Sequence, residues 1–144
     1  MVSALHEFQG GCHCGALGFS FHTASPVAEW HVRACQCRFC RAHGVLSTSD
    51  PNGRLAFQVG TGESLERYRF GLKTADFLLC RSCGVYIGAQ IRAPRGAFGI
   101  INVLALRPIP DLPGPVAADY DSESLVERIA RRERRWTPLE MVVR

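Results

Sequence analysis

The sequence predicts a single, mainly β domain that ends in an amphipathic helix. Glycines and prolines divide the first hundred residues into short segments rich in Val, Leu, Phe and Tyr, which is typical of strands. A length of 144 residues fits one domain with a real core. The tail is rich in charged residues, and its few apolar residues recur at helical spacing.

The clearest strand lies in residues 15–22, where Leu17, Phe19 and Phe21 alternate with small or polar residues, as in a half-buried strand. Similar but weaker patterns occur between the other turn signals. The predicted strands span residues 3–9, 15–22, 27–35, 54–59, 64–70, 76–80, 85–91 and 97–106.

Three segments organise the predicted domain. Residues 1–106 form the β body, which also holds all seven cysteines. Residues 107–121 begin with RPIPDLPGP, whose prolines cannot donate ladder hydrogen bonds, so a Pro-rich strap is expected on the surface. Residues 122–144 are predicted as a C-terminal helix packed on the same domain.

The predicted helix has a capping residue, Ser122 or Ser124, and arginines that come late, as the helix dipole favours. We expect its apolar stripe to pack on the β body and its arginines to lie in solvent. The stripe comprises Leu125, Val126, Ile129 and Ala130.

Cysteine usage indicates metal ligation. No apolar run is long enough to span a membrane, and the first residues lack the features of a secretory signal, so a cytoplasmic protein without membrane contact is expected. In that reducing compartment, seven clustered cysteines indicate metal sites rather than disulfides. The net charge of +4 is weak support for a polyanionic partner, because bound thiolates would offset most of it.

Two cysteine pairs predict a closed, structural zinc site. Cys12 and Cys14 in GGCHCG are two residues apart, so both side chains point the same way on an extended chain. Cys80 and Cys83 in CRSCG have the spacing of a zinc knuckle, followed by a glycine suited to the left-handed backbone region. Four thiolates leave zinc no open position, so this site would hold the fold together.

The remaining cysteines, Cys35, Cys37 and Cys40, predict a second zinc site with three protein ligands. One alternative is a closed structural site, with His31, His43 or Asp50 as the fourth ligand. The other is an open site, the pattern of catalytic zinc with one exchangeable position.

The order GGCHCG, CQCRFCR and CRSCG resembles the family of glutathione-dependent formaldehyde-activating enzymes, which includes the centromere protein V type. The resemblance covers residues 10 to 104 and includes all seven cysteines. It implies a small zinc-bound β tent with two zinc ions per chain. It also implies that Cys35, Cys37 and Cys40 hold the zinc of the reactive site.

The resemblance implies a carbon-sulfur lyase that, in the reverse direction, adds the thiol of glutathione to formaldehyde. Coordination to zinc removes a thiol's proton, so the open position could collect the substrate as thiolate. The expected partners are a small-molecule thiol and a small aldehyde. Arg38 and Arg41 could bind a carboxylate of the thiol, or could neutralise the three thiolates.

Two other functions remain open. A noncatalytic zinc module could bind protein or nucleic acid through the arginine-rich helix, although solvated arginines explain the tail without a partner. An exposed cysteine trio could also oxidise and release its metal in a redox or zinc-buffering role.

Overall fold

The computed structural model describes residues 4–143 and has the mainly β fold that the sequence predicts. Residues 1–3 of the predicted β body, including the first residue of predicted strand 3–9, lie outside the described part, as does residue 144 of the predicted helix. The described elements are β1 (His6–Gly11), β2 (Leu17–Thr23), β3 (Arg33–Cys35), α1 (Arg38–His43), β4 (Ser47–Thr48), β5 (Arg54–Val59), β6 (Leu65–Tyr68), β7 (Asp76–Cys80), β8 (Tyr86–Ala93), β9 (Gly96–Asn102), β10 (Val116–Ala118), α2 (Leu125–Arg135) and β11 (Thr137–Val143).

The strands form a continuous network in the order β1-β2-β5-β11-β9-β4-β3-β10, with β6, β7 and β8 branching from β9. Strand β11 joins the part of this network formed by β1, β2 and β5 to the part that contains β9, β4, β3 and β10. Its first residues, Thr137 and Pro138, pair antiparallel with β9, and its later residues pair in parallel with β5. The last strand in the chain therefore lies between strands formed much earlier in the sequence.

Two hydrophobic clusters fill the interior. The larger packs β2 against β5 and includes Phe19, Phe21 and Phe57, each with 1% or less of its surface exposed. The smaller gathers Phe77, Tyr86, Ala89, Ile100 and Trp136 around β7, β8 and β9. Each cluster includes cysteines, Cys12 and Cys80 in the first and Cys40 in the second.

The predicted strands agree best with the structure where turn residues bound them. Strands β5 and β7 have the predicted limits, whereas residues 27–35 are mostly not strand and residues 103–105 form a 3-10 turn. Helix α1 and the short strands β4 and β10 were not predicted. A segment of two or three paired residues carries too little periodicity to be recognised in sequence.

The tail differs from the predicted helix over residues 122–144. The helix ends at Arg135, and the chain continues as β11. Pro138 cannot donate a helical hydrogen bond. Trp136 and Thr137 are buried at the point where the helix ends and the strand begins. The predicted Pro-rich strap, residues 107–121, also contributes β10, which pairs in parallel with β3.

The packing face of α2 also differs from the prediction. Leu125 and Val126 are 48% and 76% exposed, whereas Arg132 is only 8% exposed. The side chains of Arg128 and Arg131 are 17% and 14% exposed. Arginine stems and guanidinium planes can pack on aromatic rings, so a helix can contact its domain through arginines.

The start of α2 matches the prediction. The Ser124 hydroxyl accepts from the Glu127 backbone N–H at 3.1 Å, and the Glu127 carboxylate accepts from the Ser124 N–H at 3.0 Å, forming a capping box. Among the described residues 4–143, no helix is long and apolar enough to cross a membrane.

Candidate metal centres

The structure brings the four cysteines of the predicted structural site together at two hairpin turns. Cys12 and Cys14 lie in the turn between β1 and β2, and Cys80 and Cys83 lie at the turn between β7 and β8. Their sulfur atoms all lie within 4.8 Å of one another. Residues almost seventy positions apart therefore share one site.

Local backbone geometry explains why these turns present sulfur. Gly15 and Gly84 have φ values of 86° and 80°, in the left-handed region that glycine adopts without steric cost. The turns direct backbone N–H groups at the sulfurs, with Leu17 donating to Cys12 Sγ at 3.2 Å and Cys83 donating to Cys80 Sγ at 3.5 Å. N–H donors of this kind favour the thiolate form.

The spacing of the sulfurs fits a zinc ion. Cys14 Sγ lies 3.7 Å from Cys12 Sγ and 3.6 Å from Cys80 Sγ, and all seven cysteines are free of disulfides. A tetrahedral zinc with bonds of about 2.3 Å would hold its sulfurs about 3.8 Å apart. This group of cysteines could therefore hold a metal with little rearrangement.

The second group, Cys35, Cys37 and Cys40, also has its sulfurs within 4.8 Å of one another. Cys35 ends β3, Cys37 is the N-cap of α1, and Cys40 lies in the first turn of that helix. Cys37 Sγ accepts from the Cys40 backbone N–H at 3.4 Å. Strand end, cap and helical turn thus direct three side chains to one point.

The pKa values of these thiols show how tightly the second group is packed. A hydrogen bond from Cys40 lowers the pKa of Cys35 to about 6, against the opposing effect of burial. The same hydrogen bond, together with burial and the neighbouring thiolates, raises the pKa of Cys40. Close thiols cannot all ionise unless a cation offsets their charge, so this donor set suits a divalent metal.

The candidates for a fourth ligand do not join the trio. Within residues 4–143, no histidine, aspartate or glutamate has a ligand atom within 4.8 Å of all three sulfurs. His31 and Asp50 line a different pocket, where the Asp50 carboxylate accepts from the Thr23 hydroxyl at 2.5 Å. The His43 ring packs on the Phe39 ring with centroids 4.4 Å apart.

The cysteine trio opens onto a pocket of about 390 Å³. Its apolar wall includes Phe39, Phe70 and Phe77, whose rings pack with centroids 4.7 to 5.1 Å apart. Its polar wall is dominated by arginines from α1, β3 and α2: Arg33, Arg38, Arg41, Arg128, Arg131 and Arg132.

The predicted substrate residues Arg38 and Arg41 both line this pocket and are exposed. Sequence reasoning missed the arginines that α2 supplies from the other side. The signal was present, because positions 128, 131, 132 and 135 share one helical face. The prediction instead placed the apolar residues on the buried face of the helix and the arginines in solvent.

Tyr86 lies in the same buried cluster as Cys40. Its side chain is buried in the smaller cluster, and its hydroxyl has no hydrogen-bond partner among the described residues. Burial raises the pKa of Tyr86 well above its usual value, and the negative charge of the nearby cysteines raises it further. The phenol therefore stays neutral beside the trio.

Comparison with known proteins agrees with this geometry. Residues 7–120 match the family described as glutathione-dependent formaldehyde-activating enzyme. The crystal structure of a Rhodobacter sphaeroides protein is similar, with 31% sequence identity, a TM-score of 0.57, and coverage of 76% of this chain and 99% of that one. The chain therefore belongs to the glutathione-dependent formaldehyde-activating enzyme family.

Proposed function

We propose that the protein adds a small-molecule thiol, glutathione or a related compound, to formaldehyde or another small electrophile. In the reverse direction this is a carbon-sulfur lyase reaction. The observation that carries the proposal is the cysteine trio, whose three sulfurs converge beside a substrate-sized pocket without a fourth protein ligand among the described residues. Family membership supports a role of this general type.

In this proposal the two cysteine groups have different roles and hold two zinc ions per chain. Cys12, Cys14, Cys80 and Cys83 hold a structural zinc, and Cys35, Cys37 and Cys40 hold the reactive one. A zinc ion at the trio would supply an exchangeable position that favours an external thiol as its thiolate.

The chain's own residues would bind and orient the substrates. The aromatic wall formed by Phe39, Phe70 and Phe77 would exclude water from the thiolate. Arg38 and Arg41 would bind a carboxylate of the thiol. The thiolate sulfur then bonds to the carbonyl carbon, the C=O π electrons move to oxygen, and that oxygen takes a proton from solvent.

A cytoplasmic location suits this function, because free cysteines and glutathione are maintained in a reducing compartment. The proposed partners are the thiol and a small aldehyde. The alternative of a nucleic-acid-binding helix is less well supported. Three of its arginines, Arg128, Arg131 and Arg132, face the pocket rather than solvent.

The proposal is tested by the rate at which glutathione and formaldehyde exchange with their adduct, measured by NMR exchange spectroscopy. Zinc-loaded protein should accelerate exchange above the uncatalysed rate, and Cys37→Ser should return it to that rate. Arg95→Gln, an exposed arginine at the turn between β8 and β9, serves as the control and should leave the acceleration intact. Equal rates for wild type and Cys37→Ser would refute the proposed function.

A further inference from the structure

Helix α2 lies outside the residues that match the family, yet it forms one side of the pocket. The family match ends at residue 120, and the helix spans Leu125–Arg135. Its arginines at positions 128, 131 and 132 face the same pocket as the cysteine trio. Any role of these residues is therefore a property of this chain rather than of the matched family segment.

Arg131 already has its charge compensated. Its Nε and Nη2 donate to the two carboxylate oxygens of Glu123 at 2.8 and 3.0 Å. Its guanidinium also lies over the Tyr120 ring, 3.6 Å from the centroid. This bidentate pair uses both oxygens of Glu123.

Arg128 must share that same carboxylate. Its Nε lies 3.5 Å from Glu123 Oε1 without hydrogen-bond geometry, and this buried nitrogen has no hydrogen-bond partner among the described residues. Its Nη2 donates to the Tyr120 carbonyl at 2.8 Å. Among the described residues, Glu123 is the carboxylate within 4.0 Å of both arginines, so at this distance it can compensate only one of their two charges.

Arg132 is the least compensated of the three. It is 8% exposed, its Nη1 donates to the Thr74 hydroxyl at 2.6 Å, and its guanidinium lies 4.8 Å from the Trp136 ring centroid. Its buried Nε has no hydrogen-bond partner, and within residues 4–143 no carboxylate lies within 4.0 Å of it. Burial lowers the pKa of Arg132 to about 10, so it still carries its charge at neutral pH.

The cysteines do not supply enough negative charge to explain these arginines. Three thiolates on one divalent ion would leave a single net negative charge. The pocket wall holds six arginines and one carboxylate, Asp121, and Glu123 adds another beside it. Arg38 and Arg41 are exposed and can be compensated by solvent, but Arg128 and Arg132 are largely buried. Uncompensated buried charge is costly, so these two arginines favour an anion that completes the site.

We propose that Arg128 and Arg132 form an anion subsite that binds a carboxylate of the molecule whose other end reaches the cysteine trio. A guanidinium presents a planar fork that matches a carboxylate. Both arginines line the pocket, and within the described residues each has a hydrogen bond from only one of its two Nη atoms. A pocket of about 390 Å³ is large enough for one small molecule that spans both ends. The subsite selects carboxylate-bearing substrates over neutral ones of similar shape.

The identity of that molecule as a glutathione-like thiol rests on the proposed function, but the subsite can be tested without the thiol chemistry. S-methylglutathione keeps both carboxylates and has no free thiol, and its diethyl ester lacks the carboxylates. Titration calorimetry on the zinc-loaded full chain should show that the acid binds about tenfold or more tightly than the diester.

Substitutions then assign the effect to the helix. Arg128→Gln and Arg132→Gln should each weaken binding of the acid about tenfold and leave binding of the diester unchanged. Arg134→Gln, an exposed arginine on the same helix, should change neither affinity. Arg132→Gln loses the hydrogen bond to Thr74 and could unfold for that reason. Arg128 is less buried than Arg132, so in that case the Arg128→Gln result decides whether the subsite exists.

The subsite is refuted if acid and diester bind equally, if neither binds wild type, or if Arg128→Gln behaves as Arg134→Gln does. Failure of the proposed function gives a different result. In that case glutathione and S-methylglutathione would bind with the same affinity, and both would still depend on Arg128 and Arg132.

Discussion

The two cysteine groups use the same ligand atom in opposite settings. The four-cysteine group joins two hairpin turns beside the larger core, and Cys12 and Cys80 are buried there at 0% and 2% exposure. The trio comes from a single local stretch, Cys35 to Cys40, and opens onto a pocket lined by arginines and aromatic rings. Our proposal assigns a structural role to the first group and a substrate-binding role to the second on their sequence separation and surroundings, because the ligand type is the same in both.

The largest difference should follow from changing one cysteine in each group. Cys80→Ser should abolish cooperative folding, because a structural zinc supplies about 10–16 kcal/mol of apparent binding energy. That energy is comparable to the total stability of an ordinary domain, about 5–15 kcal/mol. Near-ultraviolet circular dichroism and thermal unfolding would measure the loss.

Cys37→Ser should instead keep the fold and lose one of two zinc ions. Cys37 caps α1 by accepting from the Cys40 N–H, and a serine hydroxyl is a good N-cap that can accept the same bond. Metal analysis together with thermal unfolding would separate the effects. If both cysteine variants unfolded alike, the distinction between a structural and a substrate site would be wrong.

The two cysteine groups should release zinc to a chelator at different rates. Cys14 of the four-cysteine group is itself exposed, so exposure alone does not separate the sites. A chromophoric chelator should take zinc from the trio first, because that site has three protein ligands and opens onto a pocket. Zinc release from wild type should therefore have two phases. Cys37→Ser should lack the fast phase, and a single phase in wild type would show that the sites do not differ in access.

The smallest expected effect concerns His43, the nearest alternative ligand by sequence. His43→Ala removes a ring that packs on Phe39, worth about 0.5–1.5 kcal/mol at most. Both zinc ions should remain bound, as measured by metal analysis. Loss of one ion in this variant would identify His43 as the fourth ligand and close the trio.

The sequence was most informative where chemistry restricts residue choice. The cysteine spacings predicted both groups, and adjacent glycines supported the four-cysteine group, because few other arrangements suit C-x-C and C-x-x-C segments. The tail was predicted less well. Its strand β11 is specified by pairing with distant β5 and β9, and the buried face of α2 is specified by the rings of Tyr120 and Trp136. The pairing strands and the aromatic rings that contact the helix cannot be recognised from the periodicity of residues 122–144.

The central claim, an open position at the trio, is tested most directly by zinc K-edge absorption on the two-zinc protein with and without glutathione. Before addition, the average zinc should have between three and four sulfur neighbours, with oxygen completing the trio site. Addition of glutathione should raise the average to four sulfurs. An unchanged spectrum, with a nitrogen neighbour that glutathione does not displace, would contradict an open site.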